Sequence, residues 1–298
     1  MRIAVIIYRI IKSLIKNPIS SIKIFIQDFK KDINAKNVSS EKYFVWCAGL
    51  PKSGSTLIEN IFDILPYVRV TGSFLRFYDA GNLIEVHGIS ERMFSAVPKK
   101  KYSFLKTHTH YTENYERIAL EKNANIIISF RDIRDMMISR YFHIINDKKH
   151  WNHKEINDLS FEDGFIQTLK SIDPVDLEGL MTIKYYYNWI VDWKEICRKK
   201  SYLALWYEDY IKNSNNYIKS ILNYVGFQNF PTIDIENELK SLRMEQKNLS
   251  SGLKNHERYK STFRAGKIRL WNEYFTPRIS NFFKQNLPGP LDEAIYKE

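Results

Sequence analysis

The chain has 298 residues, 44% apolar and 27% charged. These are the proportions of a soluble globular protein, long enough for one large domain that buries roughly three quarters of its unfolded surface. Its formal net charge is +11, spread along the whole length, which suits an anionic ligand, an acidic substrate, an anionic membrane surface or simply a solvated lysine-rich exterior. Cys47 and Cys197 form neither a metal-binding spacing nor a disulfide framework, no His/Cys/Asp cluster suggests zinc, and no segment reaches the ~18 uninterrupted apolar residues of a membrane-spanning helix.

In chain order, the first sixteen residues, MRIAVIIYRIIKSLIK, carry isoleucine and leucine at helical spacing, with Arg2, Arg9, Lys12 and Lys16 largely off that stripe. This is a basic amphipathic helix without a signal-peptide cleavage site. Two readings fit it: a helix lying on an anionic membrane, or one packed on the protein's own body or on a partner. KNPIS breaks it, Ile22 to Phe29 form a second short helix, and KDINAKNVSSE reads as a polar linker. Residues 1–40 are therefore expected to be an extension ahead of a domain spanning 41–298.

From there strands and helices alternate. YFVWCAGL (43–50), YSFLKTH (102–108), NIIISF (125–130) and YLALWY (202–207) are apolar strands. A helix is expected from the loop after the first strand to about Leu65, another over RDIRDMMISRYFHII, and another from about Tyr210 to Val225. Continuous apolar strands separated by helices predict a mostly parallel sheet covered on both faces, a three-layer α/β/α fold. Such sheets bind ligands beyond the carboxyl ends of their strands, and the polar motifs here cluster at those ends.

Four motifs carry chemistry. GLPKSGST (49–56) joins a strand to a helix, and its Gly54 lets backbone approach a phosphate where helix N–H groups converge. Ser53, Ser55 and Thr56 add hydroxyl donors. A kinase loop needs its lysine after the second glycine, but Ser55 stands there and the lysine is Lys52. No strand-end aspartate is placed to hold magnesium, so the nucleotide-kinase reading fails on both counts. In FRDIRDMMISRYF, Arg131 at a strand end and Ser139 eight residues on can grip a second phosphate, while Asp132, Arg134 and Asp135 read as surface pairs. In FLKTHTHY, Lys106 and His108 are two apart on a strand and share a side; a cation beside a histidine favours the neutral imidazole that a general base requires. His110 is a nearby decoy. STFRAGKIRLWNEYFT (261–276) is a basic, flexible element around Arg264, Gly266 and Lys267 with Trp271 and Phe275 following.

In this order and at these intervals, the motifs resemble the PAPS-dependent sulfotransferase family over about Tyr43 to Thr276. The family's PKSGTTW loop reads PKSGSTL here, its KTH matches Lys106 and His108, its YED matches Tyr207 to Asp209, and its RKGxxGDWKNxFT reads RAGKIRLWNEYFT. The resemblance implies a P-loop-NTPase-like sulfotransferase fold and in-line transfer of a sulfuryl group from PAPS to a hydroxyl or amine, without a metal. It implies that Lys52, Ser53, Gly54, Ser55 and Thr56 hold the 5′-phosphosulfate, that Arg131, Ser139, Arg264, Ala265 and Gly266 hold the 3′-phosphate, and that Tyr207 lies near the adenine. It makes His108 the base, with Lys52, Lys106 and Ser139 in the catalytic group. Leu57 stands where the family stacks a tryptophan on adenine, and Ala265, Arg269 and Leu270 alter the C-terminal motif. The acceptor is expected to be a small alcohol or phenol, a lipid or a glycan, bound between residues 71–100 and the 145–185 region, whose TGSFLRFYDAGN and YYYNW stretches are rich in aromatics. No nucleic-acid partner is expected. The expected location is cytoplasmic, with peripheral membrane contact through residues 1–16. Two rival classes stand beside this reading: another nucleotide-binding P-loop enzyme, which magnesium-dependent ATP binding would favour, and a non-catalytic peripheral membrane protein, which would bind liposomes without PAPS-dependent activity.

Overall fold

The computed structural model describes residues 44–70, 102–148, 152–170, 182–228, 230–252 and 266–297, with positions 26, 29–31, 33 and 150. The expected helix over residues 1–16, the 71–100 stretch, and Arg264 and Ala265 lie outside the described residues. Positions 29–31 and 33 are helical, and Lys31 donates to the carbonyl oxygen and Oδ1 of Asp63 at 2.7 and 2.6 Å. Helical positions thus occur within the stretch read as a linker, where Lys31 is fastened to Asp63, a cation that composition alone would leave in solvent.

The first strand, β1 (Phe44–Gly49), is buried at every position and leads through the loop into α1 (Ser55–Ile64). A two-residue edge strand, β2 (Arg69–Val70), too short to show a sequence pattern, precedes β3 (Ser103–Thr107). Then come α2 (Glu113–Glu121), the isoleucine-rich β4 (Ala124–Phe130) and α3 (Ile133–Asn146). Helices α4 (His153–Asn157), α5 (Phe161–Lys170) and α6 (Ile183–Lys200) separate these from β5 (Leu203–Trp206). The chain continues through α7 (Tyr207–Lys212), α8 (Ser214–Val225), α9 (Thr232–Gly252), α10 (Trp271–Tyr274) and α11 (Pro277–Asn286). The single helix expected from Tyr210 to Val225 is two: Asn213 ends α7 and caps α8, its side chain accepting the Asn216 N–H at 3.0 Å.

The five strands run parallel in the order β2-β3-β1-β4-β5. Because side chains alternate across a strand, each strand supplies two cores. Trp46, Ala48, Leu105, Ile126 and Ile128 pack under α2, α3, α5, α6 and α11; Val45, Cys47, Phe104 and Ile127 pack under α1, α7, α8 and α9. This is the three-layer α/β/α architecture expected. Chain order reverses at β1, whose neighbours are β3 and β4. The register pairs Ala48 with Thr107 and Gly49 with Ser129, so the carboxyl ends of β1, β3 and β4 open at one level, where such sheets bind ligands.

Candidate active site

The loop after β1 is built by exclusion of side chains. A Cβ on Gly49 would approach Ser129 Cβ and Ser53 Oγ at 2.9 Å each, so only glycine lets the loop fold back over β4. Ser53 Oγ donates to Ser129 Oγ at 3.2 Å, and Ser129 Oγ donates to the Ser53 carbonyl at 3.1 Å. Ser129, the next-to-last residue of β4, thereby pins the loop, a role no motif reveals. Lys52 (φ 75°) and Gly54 (φ 97°) are both left-handed. Left-handed residues on either side of another conformation gather successive N–H groups into an anion-binding concavity. Gly54 is the N-cap of α1, and Ser55 and Thr56 form its first turn, so the positive end of the helix faces the same place.

Two cations meet this loop. Arg131, just past β4, donates to the carbonyls of Lys52 (3.4 Å) and Lys267 (3.2 Å), and its guanidinium lies 4.7 Å from the Tyr207 ring centroid. Its buried Nε has no hydrogen-bond partner among the described residues. Burial first, and the charge of Arg131 second, bring the Lys52 ammonium down to about 8; both causes disfavour the charged form, and a neighbouring anion opposes them by favouring it. Tyr207 packs against the loop, since a Cβ on Gly54 would meet its Cδ2 at 2.9 Å.

Lys106 and His108 both face this side of β3. The Lys106 ammonium, 7% exposed as a residue, forms a buried ion pair with Glu59 of α1 and donates to Thr56 Oγ1 at 3.2 Å. Glu59 escapes sequence inspection because only the docking of α1 on β3 brings it to Lys106. His108, half-buried, bonds through Nδ1 to the carbonyl oxygen of Gly49. A carbonyl only accepts, so Nδ1 carries the hydrogen, and in the neutral ring the basic lone pair belongs to Nε2. The carbonyl of Thr109 receives the indole N–H groups of Trp189 (2.7 Å) and Trp193 (3.3 Å), which fixes the end of β3 from the opposite face. His110 turns away to Asp192, Nε2 to Oδ2 at 2.6 Å.

Ser139 lies half-buried two turns into α3. Gly266 is described, with φ 60°; its expected companions Arg264 and Ala265 are outside the described residues. Two readings need correction. Asp132 and Asp135 are buried at 5% and 0% exposure, because the C-terminal segment folds over the start of α3 and covers them. YYYNW is core, with only Tyr185 and Asn188 partly exposed: helical spacing turns Tyr186, Trp189 and Trp193 inward, each fully buried, whereas Tyr185 sits beside His110 at 5.6 Å between ring centroids. Among the described residues no group of three His, Cys, Asp or Glu side chains is placed to hold a metal ion, and no helix is long and apolar enough to cross a membrane.

A family description of the sulfotransferase domain matches residues 43–287, and the chain belongs to that family. Solved structures resemble it along most of its length. Mouse sulfotransferase SULT7A1 complexed with PAP matches with a TM-score of 0.57 at 17% identity, covering 87% of this chain and 88% of the other. Retinol dehydratase in a complex with retinol and PAP matches at 0.53 and 18%, covering 87% of each chain. The same enzyme with androsterone and inactive cofactor PAP gives 0.54 and 18%, covering 89% of this chain and 87% of the other. At these identities the structures establish the shared fold.

Proposed function

We propose that the protein is a PAPS-dependent sulfotransferase that passes a sulfuryl group in line to a hydroxyl or amine of a small alcohol or phenol, a lipid or a glycan. Family membership supports sulfuryl transfer as the reaction class, and PAP in the neighbouring structures supports PAPS as the donor. The residues present fit an adenosine bisphosphate. The loop and helix start at Ser53 to Thr56, with Lys52, suit the 5′ end, and Arg131, whose buried Nε lacks a partner, suits the 3′-phosphate with Ser139 and Arg264 to Gly266. Tyr207, stacked on Arg131 and Gly54, suits a place beside the base.

The observation that carries the mechanism is the bond from His108 Nδ1 to Gly49 at the foot of the anion loop. It commits the basic nitrogen to Nε2. His108 takes the acceptor's proton there as the acceptor oxygen or nitrogen bonds to sulfur and the bond from sulfur to the bridging phosphate oxygen breaks, leaving PAP. The charge gathered on the bridging oxygen is met by Lys52 and the loop N–H groups. Lys106 reaches the loop through Thr56, its own charge balanced by Glu59. The cationic first sixteen residues support peripheral contact with an anionic membrane as part of the same proposal.

The test is transfer of labelled sulfate from PAPS to a panel comprising a phenol, a long-chain alcohol and an amino sugar. His108→Ala should still bind PAP yet lose about 10²-fold or more in transfer rate to any acceptor the wild type accepts. Transfer at the wild-type rate would remove His108 from the base role.

A further inference from the structure

The segment 266–271 passes beside Arg131 in an uncomfortable shape. Gly266 and Arg269 both hold φ 60°, which glycine adopts freely and arginine does not. Such a residue persists only where its surroundings hold it. Here the holder is Asp135, in the first turn of α3 and fully buried. Its Oδ2 accepts the Arg269 N–H at 2.8 Å and its Oδ1 accepts the Trp271 N–H at 3.1 Å, one oxygen on each side of Leu270.

The same helix start grips the segment twice more. Arg131 donates to the Lys267 carbonyl and lies 3.9 Å from Asp135 Oδ2. Arg134 lies 3.7 Å from the Trp271 ring centroid, and Asp132 steadies it with two side-chain bonds of 2.9 and 2.6 Å. Asp132 is itself anchored, its N–H donating to buried Glu208 at 3.0 Å. The arginine assigned to the 3′-phosphate is therefore tied to the segment that carries Gly266, and Asp135 closes the triangle.

We propose that Asp135 is a positioning residue that holds the 266–271 turn in the shape presenting Gly266 to the anion at Arg131. This rests on the reading of Arg131 as the 3′-phosphate residue. Asp135 touches no substrate; it acts through the turn. Losing it should weaken nucleotide binding and raise KM for PAPS, while kcat at saturation changes little.

The experiment compares wild type, Asp135→Asn, Arg269→Gly and the double variant by PAP calorimetry, thermal melting and amide hydrogen exchange. Asparagine offers one acceptor oxygen to two N–H groups, so PAP binding should weaken about tenfold or more, with faster exchange at Arg269 and Trp271. In the double variant, glycine relaxes the turn and should recover several-fold of that loss. A merely structural defect gives no such rescue. Wild-type PAP affinity in Asp135→Asn overturns the inference, as does a double variant no better than Asp135→Asn. Should Asp135→Asn not fold, Arg269→Gly alone decides: a higher melting temperature supports the strained turn, and a lower one overturns it. If the wild type binds no PAP, the proposed function fails. The exchange rates then judge the turn separately: unchanged protection in Asp135→Asn overturns the clamp, and lost protection upholds it.

Discussion

Lys52 shows how one residue can be half legible. Its place in PKSGST marks it as an anion-loop lysine. Its left-handed backbone and its position against Arg131 follow only from the loop folding back over Ser129. A non-glycine residue in that conformation costs about 1–2 kcal/mol, and the loop's bonds to β4 sustain it. The functional consequence lies in protonation. Burial and Arg131 hold Lys52 down to about 8, and a bound polyanion favours the charged form and raises it again. Between those two values, binding must take up a proton, so affinity is greatest below pH 8 and falls as pH rises through it. Calorimetry of PAP at pH 8.5 in buffers of different ionisation enthalpy should show this uptake in the wild type and not in Lys52→Met. Equal uptake in both would assign it elsewhere. Asp135 and Glu59 were illegible for the complementary reason. An acidic residue on a helix reads as solvated until tertiary packing covers it, and both partners, the 266–271 turn and Lys106, are distant in sequence.

At the scale of elements, the strands could be read from their apolar runs. The apolar run predicts β4 over 125–130, and the strand extends from Ala124 to Phe130. Aromatic helices are ambiguous in sequence, because a ring suits a ligand wall and a core equally well. In α6 the spacing decides for the core: Trp189 and Trp193 are fully buried and both donate to the Thr109 carbonyl. That contact makes α6 a brace for the end of β3, one residue beyond His108. Trp189→Ala should therefore lose about 3–5 kcal/mol of stability in urea denaturation followed by circular dichroism. Trp189→Phe, which keeps most of the packing but not the N–H, should lose less. A loss below 1 kcal/mol for the alanine variant would mean that α6 is not the packed brace described.

At the scale of the molecule, parallel pairing does the assembling. The carboxyl ends of β1, β3 and β4 open on one rim, so that Gly49 at the end of β1, His108 just past β3 and Arg131 just past β4, distant in the chain, are brought to the switch between β3 and β4. The +11 charge acts over the same scale, and attraction of a multiply charged nucleotide should weaken as salt shortens the Debye length. Everything proposed for the rim requires that it be a nucleotide site organised by Arg131. The most direct test is metal-free calorimetry of PAP against wild type and Arg131→Ala, with thermal melting to establish that the variant is folded. Saturable wild-type binding that weakens with salt and is lost in a folded Arg131→Ala is the predicted result. Wild-type protein that ignores PAP yet binds ATP with magnesium, or an Arg131→Ala variant that binds PAP as tightly as wild type, would contradict it.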